Sequence, residues 1–232
     1  MQTLVLSGRA DANAAGWLDL LSGGAGDDLL FSQGARDFLA GGAGDDLLIG
    51  GAGDDHFQGD LDITYAAPVW QVIETQVGSD YTYTFSGIEG TYFSGSDMVY
   101  AGNGDDRGQM GGGDDTVFGE NGVDKFWGDG GADTLLGGEG ADLLHGDNSA
   151  TYVPVIQHGE DFIDGGNGAD TLYGGGASDT IYGGADNDYI IADEATSENA
   201  GNDFVDAGSG ADEIYGGAGA DTLYGGVGDD II

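Results

Sequence analysis

The stretch Gly41–Phe57, GGAGDDLLIGGAGDDHF, writes nearly the same nine residues twice. Each copy carries three glycines, two adjacent aspartates and a short apolar run, and no cation stands nearby. Working outward, the pattern G-G-x-G-x-D-x-(apolar)-x recurs along the chain. Its sixth-position aspartates are Asp28, Asp37, Asp46 and Asp55; then Asp97, Asp106, Asp115, Asp124, Asp133 and Asp142; then Asp161, Asp170, Asp179 and Asp188; then Asp203, Asp212, Asp221 and Asp230. Spacing within every block is nine, which makes 18 units. AAGWLDLLS, around Asp19, is a weaker unit ahead of the first block.

Two residues after each aspartate comes Leu, Ile, Val or Phe, with Gly108 the one exception. A small packing defect is expected at Gly108. Glycine at three of nine positions excludes a long helix. A six-residue turn followed by a three-residue strand fits instead, with the eighth position inward and the seventh and ninth outward. The seventh is often Thr and the ninth often aromatic, as at Phe118, Trp127, Tyr173, Tyr182, Tyr215 and Tyr224, and both types suit strands. Two nonapeptides then close one coil of 18 residues. The predicted fold is all-β: a right-handed, two-sheet parallel solenoid with turn insertions.

Composition raises the problem that the repeat must solve. The 232 residues include 43 Asp+Glu against 4 Lys+Arg, a formal charge of −39. A charge this one-sided repels itself in the compact state and argues against nucleic acid or anionic membrane as partners. With no cysteine, disulfides and thiolate metal sites are excluded. No apolar run approaches the roughly 18 residues of a membrane span. The N-terminal stretch MQTLVLSGRADANAAGW lacks a basic start, and its apolar run is too short for a secretory signal peptide. One apolar residue per half-coil makes a thin core, too thin alone to offset the ordering of the backbone. In the absence of a counter-charge, an expanded chain is expected.

A hard cation resolves both problems. Carboxylates and the bare carbonyls of glycine-rich turns form an all-oxygen ligand set, which suits Ca²⁺ better than Mg²⁺. Zinc and copper prefer nitrogen or sulfur, and the chain offers only His56, His145 and His158. About one Ca²⁺ per motif would nearly cancel the net charge.

GGAGDDLLI (41–49), GGNGADTLY (165–173) and GGAGADTLY (216–224) resemble the nonapeptide of the RTX, or hemolysin-type, calcium-binding repeats. The resemblance implies a parallel β-roll with Ca²⁺ in rows along both edges, and a chain that is secreted by a type I system and folds in extracellular calcium. It implies that the motif aspartates are ligands, helped by carbonyls of the preceding turns: Asp28, Asp46, Asp55, Asp97, Asp106, Asp115, Asp124, Asp133, Asp142, Asp161, Asp170, Asp179, Asp188, Asp203, Asp212, Asp221 and Asp230. Asp37 is left out because Arg36 stands in its turn, SQGARD (32–37). Three other turns depart from the pattern and weaken their sites: MGGGDD (110–115), with a displaced glycine, and GGGASD (174–179) and GGADND (183–188), without the fourth-position glycine.

The chain carries no H-E-x-x-H and no G-x-S-x-G. His145, Asp147 and Ser149 read as turn residues. Carboxylate pairs such as Asp27–Asp28 recur too regularly to be one active site, so an enzyme is not expected. The favoured reading is a structural calcium-binding module of a larger extracellular protein, of adhesin, surface-layer or toxin type. The alternative is an adhesive module that binds carbohydrate or protein through its outward aromatics and insertions.

The interruptions divide the chain into a roll segment at 1–58, an enlarged turn at 59–93, and a continuing roll at 94–232 with insertions near 146–156 and 192–199. They open with GD (59–60), GD (146–147) and AD (192–193). Since strands alternate sides and the intervals between insertions are even, all three should fall on one edge. The alternation in VWQVIETQVGSDYTYTF (69–85) predicts a β-hairpin. Trp70, Tyr81, Tyr83 and Tyr152 are expected to touch a partner on that edge. The last unit, GGVGDDII, leaves its apolar column open, so further parent chain or a neighbouring copy is expected over Ile231 and Ile232.

Overall fold

The structure, a computed structural model, describes residues 19–32, 34, 36–59, 71–77, 80–86, 95–147, 158–193 and 200–232; for 19, 20 and the segments between 71 and 86 it describes the backbone alone. Two nine-stranded parallel sheets face each other. The first contains Asp19–Ala25, Asp37–Ala43, His56–Gln58, Arg107–Gly112, Lys125–Gly130, Leu143–Asp147, Thr171–Gly175, Tyr189–Asp193 and Glu213–Tyr215. The second contains Leu29–Phe31, Leu47–Ala52, Met98–Asn103, Thr116–Asn121, Thr134–Glu139, Phe162–Asn167, Thr180–Ala185, Phe204–Ser209 and Thr222–Tyr224. Consecutive strands alternate between the sheets, so the chain winds as a parallel β-roll. Partners lie one coil apart: Leu30 faces Leu48 and Val117 faces Leu135. The weak unit at Asp19 is a real coil, in register with Asp37. Among the described residues no helix is long and apolar enough to cross a membrane.

The strands run longer than the three residues expected. Thr116–Asn121 and Thr134–Glu139 continue through motif positions 1 to 3, because the glycine-rich segment keeps pairing with the next coil. Position 1 therefore also faces inward. Most coils place glycine there, but Ala101, Met110, Ala192 and Ala207 join the core at that position. The eighth-position column is buried from Leu30 to Ile214. Beyond it Leu223 is only partly buried, and Ile231 and Ile232 are 63% and 66% exposed.

The packing defect expected at Gly108 is absent. A Cβ at Gly108 would lie 2.8 Å from Met110 Cε, 2.9 Å from Phe57 Cβ and 3.0 Å from Phe126 Cε1. Met110 sits where the motif has its first glycine and turns its side chain into the room that Gly108 leaves. Two departures from the repeat thus cancel.

All three interruptions lie on one edge. The chain leaves the first sheet at His56–Gln58, Leu143–Asp147 and Tyr189–Asp193, and re-enters the second at Met98–Asn103, Phe162–Asn167 and Phe204–Ser209. Within the longest, Gln71–Val77 and Asp80–Ser86 pair antiparallel, with Val77 opposite Asp80. Trp70 and Tyr152 lie outside the described residues, as do 1–18.

Candidate metal sites along the two edges

Each turn is shaped by glycines in the left-handed region and by close stacking on the next coil. At position 4, a Cβ on Gly140 would collide with the carbonyl oxygen of Gly122, and one on Gly168 with that of Gly140. Only glycine allows this approach at φ of +142° and +130°. Ala177 and Asp186 hold position 4 in two coils and keep the turn at φ of 79° and 77°, in the left-handed region that L residues enter at a cost.

The sixth-position aspartates stack in two rows. One row, on the edge that carries the insertions, runs Asp28, Asp46, Asp97, Asp115, Asp133, Asp161, Asp179, Asp203, Asp221. In each step the amide N–H of one aspartate donates to Oδ1 of the next, at 2.7–3.1 Å. The other row runs Asp37, Asp55, Asp106, Asp124, Asp142, Asp170, Asp188, Asp212, Asp230, at 2.5–3.2 Å. Asp37 therefore holds the same place as the others. The turns flagged as weak also keep their aspartates in the rows: Asp115, Asp179 and Asp188 each accept such a bond.

The adjacent acid pairs divide two tasks. At position 5, Asp105 Oδ1 accepts the N–H of Val123 one coil on, and Asp114 Oδ1 that of Ala132, both at the exposed rim. Ser178 and Asn187 make the same contact without charge. Position 6, which is Asp in all 18 units, accepts in the opposite sense along the rows and is buried from Asp28 to Asp212, with Asp221 and Asp230 half-buried at the end of the roll.

That burial leaves one oxygen unsatisfied. Oδ2 of Asp55, Asp106, Asp124, Asp133, Asp142, Asp161, Asp170, Asp179, Asp188 and Asp212 is buried without a hydrogen-bond partner. In every one of these turns but those of Asp106 and Asp212, whose first residues are Ala101 and Ala207, it points at the first glycine of its own turn: a Cβ on Gly50 would lie 2.5 Å from Asp55 Oδ2, and one on Gly119 2.6 Å from Asp124 Oδ2. Desolvation, and then neighbouring carboxylates, push Asp55 up to about 8 and Asp161 up to about 10. Desolvation also lifts Asp106 and Asp124 to about 8, against the smaller pull of a backbone N–H. A buried carboxylate oxygen lacking a donor is costly. Repeated along both rows, about 4.8 Å apart and mostly beside the Cβ-free backbone of a first-position glycine, it fits a hard, oxygen-seeking cation on each edge.

Sequence reasoning missed three buried acids at position 2, where most turns have glycine: Asp129, Asp147 and Asp193. Their signal was the GD and AD that open the insertions, together with the GD at 128–129. Asp147 is no exposed turn residue; its Oδ2 accepts the N–H of Gly176 at 3.0 Å and lies 3.5 Å from His158 Nδ1. Asp193 Oδ2 accepts the N–H of Gly201 at 3.1 Å. His145 is a strand residue, stacked between Trp127 and Tyr173 at 5.6 and 4.2 Å; Ser149 lies outside the described residues. The outward aromatics pack on one another, as Tyr100 does on Phe118 at 4.7 Å and as Phe162, Tyr182, Phe204 and Tyr224 do in sequence.

Comparison with protein-family models finds one described as RTX calcium-binding nonapeptide repeat (4 copies), matching residues 19–39, 31–63, 93–107, 111–144, 159–192 and 199–232. No curated protein matches.

Proposed function

This chain belongs to the RTX calcium-binding nonapeptide-repeat family, and from that premise we propose that it is a calcium-dependent structural segment of a larger secreted bacterial protein, of adhesin, surface-layer or toxin type, which folds after export. The observation that carries this reading is the unpartnered Oδ2 on rung after rung of both rows. Between the rungs, Ca²⁺ would supply the positive charge that these oxygens lack, at about one ion per motif. The ligands are the 17 sixth-position aspartates named above and Asp37, with carbonyls of the stacked turns.

The chain's own groups prepare those sites. The row hydrogen bonds fix Oδ1 of every carboxylate after the first in each row, which aims Oδ2 at the turn. The first-position glycines leave that space open. The apolar column holds the two edges at a constant separation but is a single residue deep per half-coil, so like charges along each row oppose the fold until they are neutralised. In this reading the chain is a folding module and not an enzyme, since its carboxylates are spread along two rows and do not converge on one centre.

Circular dichroism of the full chain tests it. In chelator the chain should be expanded, and millimolar Ca²⁺ should produce a β-type spectrum cooperatively, with Mg²⁺ unable to substitute. A native-like β spectrum in chelator overturns the reading.

A further inference from the structure

Among the described residues, the necks of two insertions are built alike. Beyond the nine-residue interval, residues 148–157 are extra before Asp161 and 194–199 before Asp203. Without them the flanks read GDHGED (146–147, 158–161) and ADAGND (192–193, 200–203), turns of ordinary length. The far side of each neck is in its ordinary place. A Cβ on Gly159 would meet the carbonyl oxygen of Gly131, and one on Gly201 that of Ala177, which is the position-4 stacking of the uninterrupted turns. On the near side, a Cβ on Gly146 would meet Asp161 Oδ2, as in those turns. The row therefore runs on past both insertions: Asp161 Oδ1 accepts the N–H of Asp133 at 2.8 Å, and Asp203 Oδ1 that of Asp179 at 3.0 Å.

The residue at position 2 joins the two sides. Asp147 Oδ2 accepts the N–H of Gly176 on the next coil at 3.0 Å, and the N–H of Gly159, across its own neck, bonds to the same carboxylate. Asp193 Oδ2 accepts the N–H of Gly201, across its own neck, at 3.1 Å. Gly159 and Gly201 each stand two residues before a row aspartate. The next coil makes room, since a Cβ on Gly175 would lie 2.5 Å from Asp147 Cβ and one on Gly217 2.5 Å from Asp193 Cβ. Along the uninterrupted edge, position 2 is glycine from Gly51 to Gly226 except at Glu120, which is exposed. A glycine there has no side chain to offer a neck. Loop-closure entropy grows only slowly with loop length, so an insertion needs a local tie between its ends. Charge-assisted bonds to backbone N–H groups make stronger ties than neutral ones.

We propose that Asp147 and Asp193 are neck clamps: positioning residues whose side-chain oxygen ties the two ends of an interrupted turn and so holds the aspartate that follows, Asp161 or Asp203, in its row. In this role the oxygen is needed and the charge is not. The clamps let one edge of the roll admit chain of different lengths without losing a rung. The inference rests on the calcium reading above, which gives the unbroken row its use.

Amide hydrogen exchange of the calcium-saturated full chain tests it. Asp147→Gly, which installs the motif's own residue, should speed exchange at Gly159, Gly176 and Asp133 by about tenfold or more. Asp147→Asn keeps the oxygen and removes the charge, and should stay within about threefold of the unsubstituted chain. Asp147→Gly with residues 148–157 deleted leaves the regular turn GGHGED and should recover the protection, because no neck remains to be tied. Asp193→Gly and Asp193→Asn should repeat the contrast at Gly201 and Asp179. Unchanged exchange in Asp147→Gly, or equal losses in Asp147→Gly and Asp147→Asn, overturns the proposal. Should Asp147→Gly not fold, the proposal requires both Asp147→Asn and the deletion variant to fold, and failure of either overturns it. Equal exchange of the unsubstituted chain in Ca²⁺ and in chelator overturns the calcium reading instead and leaves the comparison of variants intact.

Discussion

Met110 completes the core that Gly108 leaves open. The two residues stand two apart on one strand, and the methyl of Met110 lies 2.8 Å from the site of a Gly108 Cβ. Each alone breaks the repeat; together they restore an inward apolar layer between Phe57 and Phe126.

Exchange of the pair should therefore be strongly non-additive. Met110→Gly empties the layer and is expected to cost about 2–5 kcal/mol. Gly108→Val overpacks it at about 1–3 kcal/mol. The double variant restores the repeat's own arrangement and should regain most of both losses. Thermal melts in saturating calcium read the cycle.

The two members of an acid pair should respond differently to neutralisation. Asp105→Asn, at the exposed rim, keeps an acceptor for Val123 and should change stability by no more than about 0.5 kcal/mol. Asp124→Asn keeps Oδ1 for Asp106 but replaces the partnerless Oδ2 with an NH₂. It should raise the calcium midpoint for folding severalfold. Parallel calcium titrations by circular dichroism compare the two.

Turn backbone offers a third test. Gly140→Ala drives a Cβ into the Gly122 carbonyl and should destabilise the calcium-loaded fold by several kcal/mol. Ala177→Gly removes a left-handed alanine and should stabilise it by about 1 kcal/mol. Denaturant midpoints at fixed calcium measure both.

Acidity should favour the metal-free fold. Burial raises the folded-state carboxyls of Asp55, Asp106 and Asp124 to about 8, against an ordinary value near 4 when unfolded. The folded state then binds more protons, so the penalty is absent below about pH 4 and grows as pH rises towards 8. In chelator, β structure should increase on going from pH 8 to pH 5. Calcium added near neutral pH should release protons, measurable as a buffer-dependent heat. A chelated fold that gains stability with rising pH would contradict this.

Much of the fold was legible because one residue type recurs in one place. The nine-residue interval gave the coil, the eighth-position column gave the inward face, and even spacing of the interruptions put them on one edge. What the repeat hides is compensation between departures from it. Gly108 and Met110 each look like a defect until the strand brings their side chains to one layer. Arg36 beside Asp37 suggested a lost rung, yet the rung is set by the backbone, and Asp37 N–H still meets Asp55 Oδ1 at 2.8 Å. Position 5 and position 6 look like one acidic pair in the sequence. Only the stacked coils show that they face opposite ways.

The same regularity makes the roll almost symmetric under translation. Sliding one sheet pair by a coil replaces leucine with leucine and aspartate with aspartate, so the repeat alone scarcely selects a register. Selection falls to the exceptions: the Gly108–Met110 exchange, the Trp127–His145–Tyr173 stack, the three insertions and the acids at their necks. These serve as index marks on an otherwise uniform ruler. A change of 18 residues would shift the marks by one graduation, whereas a change of nine would send everything beyond it to the opposite edge.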